Sequence, residues 1–314
     1  MTSLVDRPGE INARPVAHPW RLVALAFIAV VVAMMVSSFM TNEKWNFPVA
    51  LQVMIQTPVI EGLWKGTLLG TVGAMAIGVG LGVPFAIMRL SSNPVLRGVA
   101  FIFTWFFRAV PRYVLLVVIG TGIGYLYNQL DIGVPFGQQL AGPLGLGADL
   151  TFWHLDSNSV FGGLIGGIIG LGLSEAAYMA EIARSGIQSV DTGQSEAAQA
   201  LGMSSGLAMR RVILPQAMRV IVPPTGNETI AMVKDTSLLS AIPVITELFF
   251  QTRAIGTRTL QIMPALVGAT AWYLIICSVL MIGQYYLERY FGRGFGNRAP
   301  RDKRFARPAG SGGA

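Results

Sequence analysis

Residues 196–215 read EAAQALGMSSGLAMRRVILP, and the organisation of the chain turns on what this stretch is. Locally it is a short helix and its exit. Ser195 suits an N-cap, Glu196 stands where the helix dipole favours an anion, and Gly202 suits the left-handed residue that ends a helix. The pattern predicts a helix over 196–201 with Ala197, Ala198 and Ala200 on its surface. So short a helix is marginal alone and needs something to pack against. Its small side chains suit insertion into a partner's groove. A helix lying on a membrane surface is the competing reading, and the apolar content is low for that. The tetrapeptide Ser-Glu-Ala-Ala occurs a second time at 174–177, there at the end of an apolar run.

The surroundings of the stretch are apolar. Of 314 residues, 53% are hydrophobic and only 12% charged, with mean hydropathy +0.56; soluble domains carry about 25% charge. Crossing about 30 Å of hydrocarbon takes roughly 20 apolar residues in a helix. Such runs fall at 22–40, 67–88, 99–126, 160–180, 220–242 and 263–286. The third is interrupted by Arg108-Ala-Val-Pro-Arg112 and the fifth contains Lys234-Asp235. The expectation is an all-α integral membrane protein of about six transmembrane helices. The run at 22–40 lacks the short core and small-residue cleavage site of a signal peptide and reads as an uncleaved anchor. Gly78 and Gly82, and Gly162, Gly166 and Gly170, stand four apart. That spacing lets helices approach closely, within one bundle or between subunits.

The basic residues orient these runs. With the N-terminus inside, sixteen Lys and Arg fall on inner segments, against Lys44, Lys65, Arg253 and Arg258 outside. The positive-inside rule therefore places both termini in the cytoplasm. Residues 131–159 become an outer loop and 181–219 an inner one, so the two Ser-Glu-Ala-Ala copies differ in setting. Nucleic acid is not an expected partner despite the net charge of +7, because the basic residues flank apolar runs instead of interleaving with aromatics. The two histidines, His18 and His154, and the single Cys277 suggest no metal site and allow no internal disulfide. No phosphate-binding G-x-x-x-x-G-K-[ST] loop occurs, EGLWKGTLLG having the wrong spacing. No catalytic set is evident.

The opening stretch resembles the EAA signature of ABC importer permeases: Glu-Ala-Ala, three residues, Gly, nine residues, an aliphatic, one residue, Leu-Pro. Here these are Glu196, Ala197, Ala198, Gly202, Val212, Leu214 and Pro215. The segments AAYMAEIARSGIQSVDTGQSEAAQALG and VILPQAMRVIVPPTGNETIAMVKDTSLLSAI look like the polar amino acid subfamily, as does SSNPVLRG followed by FRAVPR. The likeness covers 61–289 and implies a five-helix permease core with an extra N-terminal helix at 22–40. A tail at 1–21 would be cytoplasmic, and a basic tail at 290–314 cytoplasmic and disordered. The chain departs from the pattern at Arg112, where an apolar residue is more usual, and in the length of 131–159.

The resemblance implies the permease subunit of a bacterial inner-membrane importer for polar amino acids, itself no enzyme and without a cofactor. ATP and Mg would belong to a separate ATPase subunit docked on Glu196, Ala197, Ala198, Gly202, Leu214 and Pro215. An outer solute-binding protein would deliver substrate, and a second permease subunit, identical or paralogous, would complete the path. A phosphonate or opine-like substrate is the alternative, and an ion-coupled secondary carrier a further one. Candidate path residues are Glu175, Lys234, Asp235, Thr236, Ser237 and Arg108, the last, with Arg112, as a candidate contact for a substrate carboxylate. Intramembrane charge is costly unless paired or facing water, and an amino acid zwitterion needs both signs. Each has a plainer reading: Glu175 solvated or paired near the interface, Lys234 with Asp235 a structural pair, and Arg108 bound to Glu175 or a lipid phosphate.

Overall fold

The computed structural model describes residues 19–137, 143 and 151–292. Most of both expected tails lies outside these. The chain divides into two compact units, Met1–Asn46 and Phe47–Ala314. In the first, α1 spans Pro19–Thr41 and contains no buried residue. A 3-10 turn, Glu43–Trp45, follows, its N-cap Asn42 accepting from the Lys44 N–H.

The second unit is a helical bundle. A short α2 (Phe47–Met54) precedes α3 (Thr57–Leu90), which loosens into π geometry at Gly62–Leu68. Next come α4 (Pro94–Ala109), α5 (Arg112–Leu126), α6 (Gly163–Gln188) and a short α7 (Thr192–Ala200). The chain ends in α8 (Leu214–Asp235), α9 (Leu248–Thr259) and α10 (Ile262–Phe291). Among the described residues four helices are long and apolar enough to cross a membrane, five if α4 and α5 together make one span.

Two sequence expectations are corrected. The run at 99–126 is not one straight span: α4 and α5 meet at 102°. Pro111 lacks an N–H and pushes the preceding residue out of the helical region; Val110 accordingly sits at φ −84°, ψ 129°. The run at 220–242 is helical only to Asp235, then passes through a 3-10 turn, Thr236–Ala241. With Arg219, Glu228, Lys234 and Asp235, α8 is not among the helices apolar enough to cross by composition. The connection between α5 and α6 carries a two-stranded antiparallel pair, β1 (Gln129–Gly133) with β2 (Thr151–Asp156). The β-prone Thr151-Phe152-Trp153 and a cross-strand pair, His154 Nδ1 to Asp131 Oδ1 at 2.7 Å, support it.

Close packing is concentrated between α3 and α6. A Cβ at Gly78 would lie 2.5 Å from Glu175 Cγ, and one at Gly82 2.5 Å from Met179 Cβ. These two glycines therefore serve contact inside this chain. The core beside them gathers Ala74, Met75, Leu116, Leu171, Met232 and Leu239 from five elements. A second buried anchor is Glu247, the N-cap of α9. It accepts from Phe250 N–H (2.9 Å), Thr67 Oγ1 (3.0 Å) and Tyr273 OH (2.7 Å), tying α9 to α3 and α10.

Candidate functional site

Two features emerge: a helix that projects its polar surface, and an ion cluster inside the bundle. The helix is α7. It begins earlier than expected, with Asp191 as N-cap accepting from the Gly193 N–H at 2.7 Å. Ser195 is therefore inside the helix. Asp is as good a cap as Ser, and the upstream one sits where the chain emerges from α6. The end is as expected. Gly202 has φ +74°; its N–H bonds Gln199 O (2.9 Å), and Met203 N–H bonds Ala198 O (3.0 Å). This is the paired closure that a left-handed glycine permits.

Glu196, Ala197 and Ala200 are exposed on α7, but Ala198 is buried, contrary to the expectation. The helix packs on the π turn Met209–Ile213, so one stripe of it is covered. Gln216 Nε2 to Gln194 Oε1 (3.2 Å) ties α7 to the start of α8. Leu214 and Pro215 form that start, both exposed. Leu201, which the sequence did not single out, closes the helix and is 82% exposed.

The ion cluster centres on Arg112, placed at the first residue of α5 by the break at Pro111. Arg112 Nη2 donates to Glu175 Oε2 at 2.9 Å, Nη1 pairs with Asp235, and Glu228 Oε2 lies 3.8 Å away. Glu228 and Asp235 stand seven residues apart on α8, which brings them to one face. Three carboxylates thus face one guanidinium, an excess of negative charge when all are ionised. Access is graded: the Glu175 side chain is fully buried, Arg112 15% exposed, Glu228 27% and Asp235 31%.

Of the expected path residues, Glu175 and Asp235 meet in this cluster. Lys234 is exposed and in no ion pair among the described residues, so it does not neutralise Asp235. The hydroxyls of Thr236 and Ser237 donate to Val233 O and Lys234 O, both at 2.7 Å, within their own turn. Arg108 does not pair with Glu175; its Cζ lies 5.5 Å from the Tyr178 ring centroid, and Arg112 takes the carboxylate instead. Glu228 was missed because it sits inside a run read for hydropathy, where PPTGNETI was its only signal.

With this geometry in view, the likenesses to known proteins are informative. Residues 78–293 match the family described as the binding-protein-dependent transport system inner membrane component. An arginine transport system permease protein of Corynebacterium glutamicum is 43% identical over 289 residues, 92% of this chain and 85% of the relative. A nopaline transport system permease protein of Agrobacterium fabrum is 32% identical over 232 residues, 73% of this chain and 87% of the relative. Among solved structures, an amino acid ABC transporter crystallised with histidines matches with TM-score 0.58 and 30% identity, covering 74% of this chain and 94% of that one. A self-sufficient ion-coupled carrier is set aside by these matches. The chain belongs to the permeases of ABC importers, the inner-membrane components of binding-protein-dependent transport systems.

Proposed function

We propose that this permease passes cationic amino acids, arginine among them, across the bacterial inner membrane. The observation that carries the reading is the cluster of Glu175, Glu228 and Asp235 around the single guanidinium of Arg112. A cationic side chain entering the bundle loses hydration, and carboxylates with charge to spare offset that loss. The arginine permease relative supports the same class. A phosphonate, being anionic, would be repelled by this cluster. An opine-like solute is the second reading, supported by the nopaline permease relative.

Transport would be driven from outside this chain. A separate ATPase subunit, holding ATP and Mg, docks on α7 through Glu196, Ala197, Ala200 and Leu201, with Ala198, Gly202, Leu214 and Pro215 shaping the docking surface from below. A second permease subunit completes the path, and an outer solute-binding protein delivers the substrate. Both termini are cytoplasmic. Nucleotide binding favours one of two bundle states and hydrolysis restores the other, so this chain needs differential contacts and no chemistry of its own.

The test is uptake of labelled L-arginine by proteoliposomes holding the complete complex. Competition by L-lysine and L-ornithine, with none by L-glutamate or a methylphosphonate, is the expected result. Competition by nopaline stronger than by L-lysine would favour the opine reading. Absence of arginine uptake with a competent complex would sink the cationic one.

A further inference from the structure

Beside the ion cluster lies a cavity of about 420 Å³ that the cluster does not use. Its chemistry is the opposite. Arg89, from the end of α3, and Arg108, from the end of α4, line it together with Phe101, Trp105 and Tyr178. Neither arginine has an ion-pair partner among the described residues. Arg89 Nε is buried with no hydrogen bond to the described residues. The one carboxylate in the lining, Glu181, is held by Arg184 (Nε to Oε2, 3.0 Å) and so does not satisfy them. Each free guanidinium is stacked on an aromatic face: Arg89 Cζ lies 5.0 Å from the Phe101 ring centroid and Arg108 Cζ 5.5 Å from that of Tyr178. Such stacking holds the fork of N–H donors while leaving it free for an oxyanion.

The two charged places are adjacent. The Tyr178 ring lies 5.5 Å from Arg108 Cζ and 4.9 Å from Arg112 Cζ, so one ring separates the basic cavity from the acid cluster. Along α6, Glu175, Tyr178 and Glu181 follow one another at three-residue spacing on one face. From the cluster to the cavity is therefore about 9 Å of helix rise. A substrate spanning it would have a cationic end, an apolar stem and an anionic end.

We propose that the Arg89–Arg108 cavity receives the α-carboxylate of the transported amino acid while the acid cluster holds its cationic side chain. The proposal rests on the cationic amino acid reading above and adds a second half to the same site. It makes the permease select for the amino acid backbone as well as for the side chain. Stacked on Phe101 and Tyr178, the two guanidinium groups present N–H donors for charge-assisted hydrogen bonds to a carboxylate.

The experiment is equilibrium binding to the permease–ATPase complex in nanodiscs, without the solute-binding protein. The probes are L-arginine and agmatine, the same guanidinium chain without the carboxylate. In Arg108→Gln, L-arginine affinity is expected to fall tenfold or more while agmatine affinity stays within twofold of wild type. Arg89→Gln, checked by its thermal midpoint, should repeat the pattern. If both probes weaken alike, or neither does, the carboxylate assignment is overturned. Glu228→Gln separates this from failure of the underlying reading: it should weaken both probes, and unchanged affinity for both would overturn the acid cluster as the cation site.

Discussion

Arg112 and Glu175, 63 residues apart in sequence, meet at 2.9 Å with Glu175 fully buried, and the second carboxylate oxygen, Oε1, has no hydrogen-bond partner among the described residues. The pair joins α5 to α6 at the point where the bend at Pro111 delivers a charged side chain into the bundle. It also explains why that charge is tolerated. A buried carboxylate is costly alone, and here a guanidinium faces it.

Removing the guanidinium should therefore be expensive. Arg112→Gln leaves Glu175 buried without a counter-charge, and a loss of about 3–5 kcal/mol is expected. Thermal unfolding of the purified protein checks it. The double variant Arg112→Gln/Glu175→Gln should regain part of the loss, since a neutral amide replaces the stranded charge. A double variant no more stable than the single one would mean that Arg112 acts through packing.

The approach of α3 to α6 gives a paired test. Gly78→Ala drives a methyl into the Glu175 side chain, at 2.5 Å from Cγ, and should cost about 1–3 kcal/mol by overpacking. Gly80→Ala, two residues along the same helix, meets nothing within 4 Å. It should be neutral or stabilising by up to about 1 kcal/mol through helix propensity. Equal effects on the thermal midpoint would contradict the contact.

On the docking role proposed for α7, surface changes there should uncouple without unfolding. Glu196 and Leu201 are both exposed, so Glu196→Lys and Leu201→Asp should leave the permease's thermal midpoint in place. Substrate-stimulated ATPase activity of the assembled complex in nanodiscs should fall tenfold or more in each. Gly202→Ala acts differently. With φ +74° it strains the closure by about 1–2 kcal/mol, and should loosen α7 as seen in amide exchange. Normal stimulation in the Glu196→Lys complex would show that docking lies elsewhere.

Much of this was legible in advance, for physical reasons. Apolar runs announce membrane helices, and Gly202 announced the end of α7, because only a left-handed residue closes a helix in that way. The motif also drew attention too far forward: Ser195 stood next to Glu196, whereas Asp191, with no motif around it, is the cap. The bend at Pro111 was written in Val110-Pro111, yet hydropathy averages over such a break. Least legible was the ion cluster. Nothing local tells Glu175 that its partner is Arg112 and not Arg108. That choice depends on a 102° turn, which sends two arginines four residues apart into different surroundings.

That surplus carboxylate charge in the cluster receives a cationic amino acid is put to the test by Glu228→Gln. Glu228 is the most distant of the three carboxylates, its Oε2 3.8 Å from Arg112 Nη2, so its charge is the one least committed to holding the fold. In proteoliposomes with the complete complex, uptake of L-arginine is expected to fall at least tenfold with the thermal midpoint nearly unchanged. Arginine uptake at the wild-type rate in a folded Glu228→Gln complex would contradict the account.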